Sequence, residues 1–301
     1  MNKKYLIAVL GPTAIGKTTL SIRLAKYFNT EIISCDSRQF FKELKIGAAP
    51  PSDFELSQVN HHFIANKSIC DHYDVGLFEN EGLLVLREIF QRKDIVIMVG
   101  GSGLYANSLI YGLDDFPKIP IEVREDINNK YREKGLSFIL EMLEGLDPIY
   151  FERVDKSNHM RIIRALGVSI YTGKPYSDYL GKKTKKRFFT SVQIGLNIDR
   201  DILYSQIESR VDGMIECGLV QEVESLVKYR DKNALNTVGY KELFKYLDRE
   251  CSLEESVKEI KKNTRNFAKR QLTWFRKNRD LKWFDPMDFQ EIVKYCKDMI
   301  L

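Results

Sequence analysis

A glycine-rich octapeptide near the N-terminus constrains the fold of this chain more than any other feature. It spells Gly-Pro-Thr-Ala-Ile-Gly-Lys-Thr over residues 11–18 and fits the phosphate-loop pattern G-x-x-x-x-G-K-[ST]. The apolar run YLIAVL precedes it, and the helix-patterned run KTTLSIRLAKYF follows it. A strand, this loop and a helix in succession predict a parallel α/β sheet that binds a phosphate chain at its carboxyl edge.

Each part of the octapeptide has a physical role in holding an anion. Gly11 and Gly16 let the backbone curl, so that successive N–H groups point inward at phosphate oxygens. The helix that begins at Lys17 directs its positive dipole end at the same anion. Lys17 supplies a mobile cation, and the Thr18 hydroxyl is suited to Mg²⁺, the expected cofactor. The predicted phosphate-binding residues are Gly11, Pro12, Thr13, Ala14, Ile15, Gly16, Lys17 and Thr18.

Further strand and helix patterns predict the domain organisation. The runs EIISC and DIVIMVGG indicate a second and a third strand, and TSVQIGLNI at 190–198 is the one strand-like run after residue 111. The segment 114–187 is charged and helix-patterned. The sequence therefore predicts an α/β fold, with a P-loop NTPase-like parallel sheet core at 1–113 and 188–301. An α-helical insertion domain occupies 114–187.

Composition excludes several classes of protein. Hydrophobic residues make up 44% and charged residues 30% of the 301 positions, which is typical of a folded globular chain. The five cysteines form no CxxC pair, so neither a disulfide framework nor a zinc module is predicted. Because no apolar run is long enough to cross a bilayer and no signal peptide is recognisable, we expect a cytoplasmic protein without a membrane partner.

The acids near the strand ends separate this chain from ordinary P-loop ATPases. Such enzymes hold Mg²⁺ with an acid at the end of a strand, whereas the predicted third strand runs into Gly100-Gly101-Ser102-Gly103. Asp36, at the end of EIISC, is the only early strand-end acid. It would lie at the ligand edge, where a base for an incoming nucleophile is needed. The alternative interpretation is a helix N-cap or turn residue.

An ordered set of motifs resembles the bacterial tRNA dimethylallyltransferases over essentially the whole chain. The set comprises the phosphate loop, Asp36-Ser37-Arg38-Gln39, His61-His62, GGSGLY at 100–105 and AKRQLTWFR at 268–276. Arg161 and Arg164 in HMRIIRAL, and VGYKE at 238–242, are also similar to family signatures. The phosphate loop alone is generic, but the ordered set is specific.

The resemblance implies a reaction and a set of partners. The exocyclic amine of the adenosine 3′-adjacent to the anticodon, position 37, would attack dimethylallyl diphosphate, and diphosphate would leave. Asp36 would be the general base, while Ser102, where the family commonly has Thr, and Arg124 would contact substrate near the reacting centre. From the residues alone, a solvated charge at the start of a helix is the favoured interpretation of Arg124, and only the resemblance assigns it to the substrate. The expected partners are dimethylallyl diphosphate and a tRNA anticodon stem-loop, and the chain is expected to be a monomer.

A basic segment near the C-terminus predicts an RNA surface. Residues 258–282 contain ten Lys/Arg and only two acids, although the net charge of the chain is +5. The charges are expected to follow phosphates, whereas Phe267, Trp274 and Phe275 are expected in the core, with stacking on splayed bases as the alternative. The run Lys182–Arg187 is either a solvated connector or a phosphate contact, and the insertion is expected to clamp the anticodon stem. The expected tRNA-binding residues are Asp36, Ser37, Arg38, Gln39, Met160, Arg161, Ile162, Ile163, Arg164, Asn236, Thr237, Val238, Gly239, Tyr240, Lys241, Lys269 and Arg270.

Two departures from the family pattern concern local contacts rather than the reaction class. Phe-Ile-Ala follows His61-His62 where relatives commonly carry an Asp, and the segment 48–51 is Ala-Ala-Pro-Pro rather than Thr-Ala-Lys-Pro. A metal site at the histidine pair is possible, but adjacent side chains point apart on a strand, which favours a structural or hydrogen-bonding role.

Three other functions are compatible with a phosphate loop: a small-molecule kinase, a prenyltransferase of free AMP, and a non-catalytic RNA-binding protein that senses a nucleotide.

Overall fold

The apolar runs predicted as strands form the centre of one parallel sheet in the computed structural model, which describes residues 3–181 and 185–300. The sheet has six strands in the order β3-β2-β4-β1-β5-β6, and every neighbouring pair is parallel. The predicted α/β fold with a parallel sheet is confirmed. The strands are β1 (Tyr5–Leu10), β2 (Ile32–Ser34), β3 (His61–His62), β4 (Ile95–Gly100), β5 (Thr190–Leu196) and β6 (Lys282–Phe284).

β1 lies at the centre of the sheet and is buried at all six positions. Its last residue, Leu10, is in register with Gly100 of β4 and Gly195 of β5. Apolar clusters cover both faces of the sheet, which explains why the strands are continuous apolar runs rather than alternating ones. Because three parallel strands end together, the loops that follow them meet at one edge.

Helices occupy most of the remaining chain. They are α1 (Lys17–Tyr27), α2 (Asp53–Gln58), α3 (Val75–Arg92), α4 (Gly103–Ile110), α5 (Ile121–Leu146), α6 (Pro148–Phe151), α7 (His159–Thr172), α8 (Arg200–Glu216), α9 (Leu219–Ser225), α10 (Tyr240–Leu247), α11 (Leu253–Phe275) and α12 (Phe289–Ile300). Ser252 begins α11 with a capping box to Glu255, which fixes where this long helix starts. Among the described residues, no helix combines the length and apolar character needed to cross a membrane.

Contacts divide the chain into two units. The larger unit comprises 1–111 and 186–301 and contains the sheet, and the smaller unit comprises 112–185. Within the smaller unit, α5 and α7 pack on each other around a core that includes Ile127, Leu143 and Leu166. Gly135 interrupts α5 with a φ of 79°, a left-handed conformation that glycine adopts without strain.

The C-terminal segment contains a strand that the sequence does not predict. The sequence predicts 190–198 as the one strand after residue 111, but α11 ends at Phe275 and the chain returns to the sheet as β6. Phe284 pairs with Leu196 at the end of β5. The prediction was wrong because a three-residue edge strand shows no alternation that could distinguish it from a charged helix end.

An ion pair is buried where the chain re-enters the larger unit. The Arg187 guanidinium lies 2.7 Å from the Glu79 carboxylate, and the two side chains are 9% and 8% exposed. Arg187 also donates to the carbonyl oxygen of Ser108. At Arg187 neither hypothesis for the basic run 182–187 holds, since its side chain is internal, whereas Lys186 is exposed. Lys185 pairs with Asp115, and residues 182–184 lie outside the described residues.

Replacing Arg187 with Leu is expected to destabilise the fold strongly. The substitution leaves the Glu79 carboxylate buried without its guanidinium, which typically costs about 3–5 kcal/mol. The free energy of unfolding in urea measures this loss. The matched control replaces both Glu79 and Arg187 with Leu and should regain most of the stability, because no buried charge remains. A single variant within about 1 kcal/mol of wild type, as for exposed pairs, would contradict the account.

Candidate active site

A cavity of about 650 Å³ opens at the carboxyl edge of the sheet, within the larger unit. Its lining includes the phosphate loop, the segment after β2, the loop at 47–51, the residues after β4, part of α8, the turn before α10 and one side of α11. Ligands of parallel α/β sheets bind outside this edge, because the loops there are free to carry functional groups.

The phosphate loop presents unbonded N–H groups to this cavity. Ala14 and Gly16 have φ values of 65° and 88°, and this alternation of left-handed residues curls the backbone. Within the described residues, the N–H groups of Ala14, Ile15 and Gly16 donate no hydrogen bond. Ile15 is buried in the core and anchors the loop, and α1 begins at Lys17 without a side-chain cap. The loop is therefore ready to receive an anion.

Two members of the octapeptide do not face the cavity. Gly11 and Pro12 are buried behind it, and residues 13–19 form the lining. The Lys17 ammonium donates to the carbonyl oxygen of Pro12 at 2.6 Å. Burial lowers the pKa of Lys17 to about 8, while Asp36 opposes the shift and Arg210 adds to it. Lys17 is thus still mostly charged at neutral pH, and an incoming anion would stabilise that charge.

Asp36 combines both roles that the sequence left open. Its Oδ1 accepts from the backbone N–H of Arg38 at 2.9 Å, so it does close a turn after β2. Its carboxyl group also lines the cavity, and Oδ2 accepts no hydrogen bond within the described residues. One carboxylate oxygen is therefore fixed by the turn, and the other is available for a proton.

Ser102 joins the end of β4 to the segment after β2. The backbone N–H of Ser37 donates to Ser102 Oγ at 3.0 Å, and the two hydroxyl oxygens lie 3.1 Å apart. Both residues line the cavity together with Asp36. The structure therefore brings together Asp36 and Ser102, which are 66 positions apart in the sequence.

Arg38 and Gln39 hold the surrounding loops in place. The Arg38 guanidinium donates to the carbonyl oxygens of Asn233 and Asn236 at 3.0 and 3.4 Å. Gln39 donates to the carbonyl oxygen of Ala49 at 2.9 Å. Both side chains also line the cavity. They orient the loop that contains Ala49 and the turn before α10.

Tyr240 is a support beneath the cavity and not a surface residue. Its neighbours Asn236, Thr237, Val238, Gly239 and Lys241 line the cavity, but Tyr240 is fully buried. Its hydroxyl donates to Glu222 at 2.6 Å, and a Cβ at Gly47 would come within 2.5 Å of its ring. A direct RNA contact by Tyr240, expected from the sequence, is excluded in this conformation by its burial.

Arg270 and Lys269 face different cavities. Arg270 lines the main cavity, whereas Lys269 lines a second cavity of about 480 Å³ with Arg200 and Arg276. The aromatic residues of the basic segment also differ from one another. Phe275 is buried as expected. Phe267 and Trp274 are exposed, so the prediction that they belong to the core was wrong for both. Phe267 lines the main cavity.

Protein acids already neutralise the first half of the basic segment. Its four early cations pair as Lys258 with Glu254, Lys261 with Asp212, Lys262 with Glu259 and Arg265 with Glu208. The cations without an ion pair among the described residues are Lys269, Arg270, Arg276, Lys277, Arg279 and Lys282. The charge that could meet RNA is therefore concentrated toward the end of α11 and beyond it.

Arg210 is a cavity residue that the sequence analysis missed. It lies on α8 and lines the main cavity. Its charge helps to lower the pKa of Lys17, and the charge of Asp36 acts on the pKa of Arg210 in turn. Burial lowers the pKa of Arg210, while Glu55 and Asp36 oppose that shift. Its immediate surroundings, ESRVDGM, form no recognisable motif, and only the proximity created by the fold reveals it.

The two histidines point apart, as predicted. His61 Nδ1 lies 2.8 Å from the carbonyl oxygen of Val59, and His62 Nε2 lies 2.8 Å from Glu31. Across the described residues, no group of three or more His, Cys, Asp or Glu is placed to hold a metal ion. The pair has the hydrogen-bonding role expected of it.

The remaining predicted residues belong to the smaller unit. Arg124 is exposed on α5, and Met160, Arg161 and Arg164 are exposed on α7. Ile162 and Ile163 are instead buried in the core of that unit. The burial of Ile162 and Ile163 excludes the direct RNA contact expected of them. They form part of the apolar face of α7, whose opposite face carries Arg161 and Arg164.

Comparison with known proteins matches the chain along nearly its whole length. Residues 39–278 match the family model described as IPP transferase. The tRNA dimethylallyltransferase of Christiangramia forsetii is 52% identical, with 98% of this chain and 97% of that protein covered. The tRNA dimethylallyltransferase of Flavobacterium johnsoniae is 49% identical, with 97% of each covered.

Solved structures agree with the sequence relatives. The full-length tRNA isopentenylpyrophosphate transferase of Bacillus halodurans is 34% identical with a TM-score of 0.73, and the match covers 99% of this chain and 97% of that one. A eukaryotic dimethylallyltransferase acting on tRNA is 26% identical with a TM-score of 0.81, over 98% of this chain and 77% of that one. The resemblance seen in the motifs is confirmed, and the chain belongs to the IPP transferase family, among the tRNA dimethylallyltransferases.

Proposed function

We propose that this protein transfers a dimethylallyl group from dimethylallyl diphosphate to the exocyclic amine of the adenosine at position 37 of tRNA, releasing diphosphate. The observation that carries the proposal is the single cavity in which the phosphate loop, Asp36 and Ser102 meet, in a chain of this family. The cavity offers an anion site and a carboxylate, which are the two groups that such a transfer requires.

The leaving diphosphate would be held by the loop and by two cations. As the allylic carbon–oxygen bond breaks, negative charge grows on the diphosphate. The free N–H groups at 14–16, the Lys17 ammonium and the Arg210 guanidinium all line the cavity where this charge would develop. Donors that are fixed before the reaction stabilise such charge at little cost of reorganisation. Arg124 is proposed to contact substrate as well, on the family resemblance alone.

Asp36 would take the proton that the amine loses. The adenine nitrogen forms a bond to the allylic carbon while the carbon–oxygen bond breaks, and one N–H proton must then leave. Oδ2 of Asp36 is free to accept it, while Oδ1 stays bound to the Arg38 N–H. Ser102 would keep the segment around Asp36 in place through Ser37, and its hydroxyl also faces the cavity.

Mg²⁺ fits the cavity as a companion of the diphosphate. Thr18 lines the cavity directly after Lys17, and no cluster of three metal-binding side chains lies among the described residues. Mg²⁺ usually takes one or two protein oxygens and completes its shell with phosphate oxygens and water. The Thr18 hydroxyl would be the protein ligand, and the bound ion would help to neutralise the diphosphate.

The RNA would approach over the unpaired cations of the larger unit. Arg270 lines the main cavity, and Lys269 and Arg276 line the second one on the adjacent side of the same helix end. In the smaller unit, the exposed Arg161 and Arg164 are the proposed phosphate contacts, together with the exposed Met160 on the same helix. The chain is proposed to act as a monomer in the cytoplasm, where its tRNA substrates are.

Removing two of the three cations that line the second cavity should weaken tRNA binding and reduce its dependence on salt. Each phosphate contact releases condensed counterions, so the log–log salt slope should fall by roughly one unit per cation removed. The variant is Lys269→Ala with Arg276→Ala. The matched control is Lys261→Ala with Lys262→Ala on the same helix, where both cations already pair with acids. Filter binding of tRNA over a salt series measures the affinity and the salt slope of each variant.

Equal salt slopes for the test and control variants would show that the second cavity does not contact RNA. Arg270→Ala should differ from both, since Arg270 lines the main cavity and its loss should also lower turnover at saturating tRNA.

An isolated anticodon stem-loop should still accept the dimethylallyl group. Nuclease digestion and mass spectrometry of the product should place the added group on the adenosine 3′ to the anticodon. Modification at another nucleotide would contradict the proposed substrate position.

A further inference from the structure

Gln271 on α11 connects the two loops that form the floor of the main cavity. Its Oε1 accepts from the backbone N–H of Thr13 in the phosphate loop at 2.8 Å. Its Nε2 donates to the carbonyl oxygen of Gly101, after β4, at 2.9 Å. The side chain is only 6% exposed, so both bonds are shielded from competing water. A single side-chain amide thus joins residues that follow two neighbouring strands.

The chemistry of this bridge requires a carboxamide. Thr13 offers a donor and Gly101 an acceptor, and a glutamine side chain has one group of each kind. The site also has no room for a side chain at Gly101, because a Cβ there would lie 2.3 Å from Gln271 Nε2. One turn further along α11, the Trp274 ring lies against Gly103, where a Cβ would meet Nε1 at 2.1 Å. The glycines after β4 therefore allow α11 to approach closely.

The bridge determines which loop N–H groups remain for an anion. The Thr13 N–H is already bound to Gln271, whereas those of Ala14, Ile15 and Gly16 donate to nothing in the described part of the chain. The expectation that Thr13 is one of the phosphate-binding residues is therefore corrected for its N–H group. The first N–H of the curl is held by protein, and this fixes the direction of those that follow.

We propose that Gln271 is a positioning residue that holds the phosphate loop in its diphosphate-binding form, through Thr13 and Gly101. This inference rests on the proposed function and adds a residue to it. Gln271 also lines the cavity, but its Oε1 and Nε2 are already bonded to Thr13 and Gly101, so it acts through the loop. Since misplacement of a binding group by about 1 Å can cost about a hundredfold in rate, loss of the bridge should affect the diphosphate step and spare tRNA affinity.

The test compares two buried glutamines. Gln271→Met keeps the length of the side chain and removes both hydrogen bonds. The matched control is Gln193→Met in β5, since Gln193 is 2% exposed and its amide also both donates and accepts, with the side chains of Tyr111, Ser191 and Asn278 as partners. Gly101→Ala serves as a second variant, because the added methyl group displaces the amide from its place. Unfolding in urea establishes that each variant is folded under the assay conditions.

Affinity for inorganic diphosphate with Mg²⁺, measured by titration calorimetry, and kcat/KM for dimethylallyl diphosphate are the readouts. Gln271→Met and Gly101→Ala should each weaken diphosphate binding and lower kcat/KM by about tenfold to a hundredfold, with KM for tRNA unchanged. Gln193→Met should alter stability only. If Gln271→Met stays within about threefold of the Gln193→Met control, below the range expected for misplacement, the inference is overturned. If wild type itself transfers no dimethylallyl group, the proposed function fails instead.

Discussion

Replacing Asp36 with Ala should lower kcat by about 10²–10⁴, the usual range for the loss of a general base. The amine of adenine is a weak nucleophile whose proton must leave as the new carbon–nitrogen bond forms. Asp36 lines the cavity, and its Oδ2 accepts no hydrogen bond from the described residues. Affinity for inorganic diphosphate should not fall, because Asp36 carries the same charge sign as the ligand and is not one of its binding groups. Single-turnover kinetics with saturating tRNA measures the chemical step directly.

The variant Asp36→Asn distinguishes the role of Asp36 as a base from its role in the turn after β2. The asparagine retains an acceptor for the Arg38 N–H, so the turn after β2 should persist, but it cannot accept the proton. We therefore expect Asn and Ala to reduce kcat to a similar extent. An Asn variant within about threefold of wild type would show that the turn, and not proton transfer, is the function of Asp36.

Replacing Lys17 with Ala should damage binding and chemistry together. The ammonium contacts the diphosphate both before and during carbon–oxygen cleavage. Part of its effect is therefore to bind the substrate, and part is to stabilise the transition state. Removal of one such group typically costs about 10²–10³ in rate. We expect a loss of that size in kcat/KM for dimethylallyl diphosphate, accompanied by weaker binding of inorganic diphosphate.

Lys26→Ala is the matched control for Lys17→Ala. Lys26 lies on the same helix, near its C-terminus, and donates to the side chain of Gln58. Its loss should leave diphosphate binding and turnover at the wild-type level. Equal effects of the two substitutions would mean that the net charge of α1, and not the position of Lys17, is responsible.

ATP should compete weakly at most with dimethylallyl diphosphate.

The local motifs allowed much of the sheet and part of the site to be predicted. The phosphate loop follows β1 directly and begins α1, so its structure is determined by adjacent residues. Asp36 and Ser102 were identified because each follows a predicted strand, and parallel strands bring their ends together. The sequence did not show that Ser37 would connect the two, since a hydrogen bond across 65 positions leaves no local pattern.

Long-range packing determined what the sequence could not predict. Gln271 reaches Thr13 across 258 positions, and Arg210 comes to the cavity only because α8 follows β5. Tyr240 lies within a matched signature, yet it is buried, because a family pattern marks supporting and contacting residues alike. The charge count of 258–282 overstated the RNA surface, since half of α11 is neutralised by acids from α8 and from its own preceding turn.

The transfer of label from dimethylallyl diphosphate tests the central claim most directly. The protein and Mg²⁺ are incubated with dimethylallyl diphosphate labelled in the allyl group and with tRNA, AMP or no acceptor, and hydrolysis of ATP is followed in parallel. The account predicts label in tRNA alone, with release of one diphosphate for each group transferred and no ATP turnover stimulated by tRNA. Label in AMP instead of tRNA, or ATP hydrolysis stimulated by tRNA without label transfer, would contradict it.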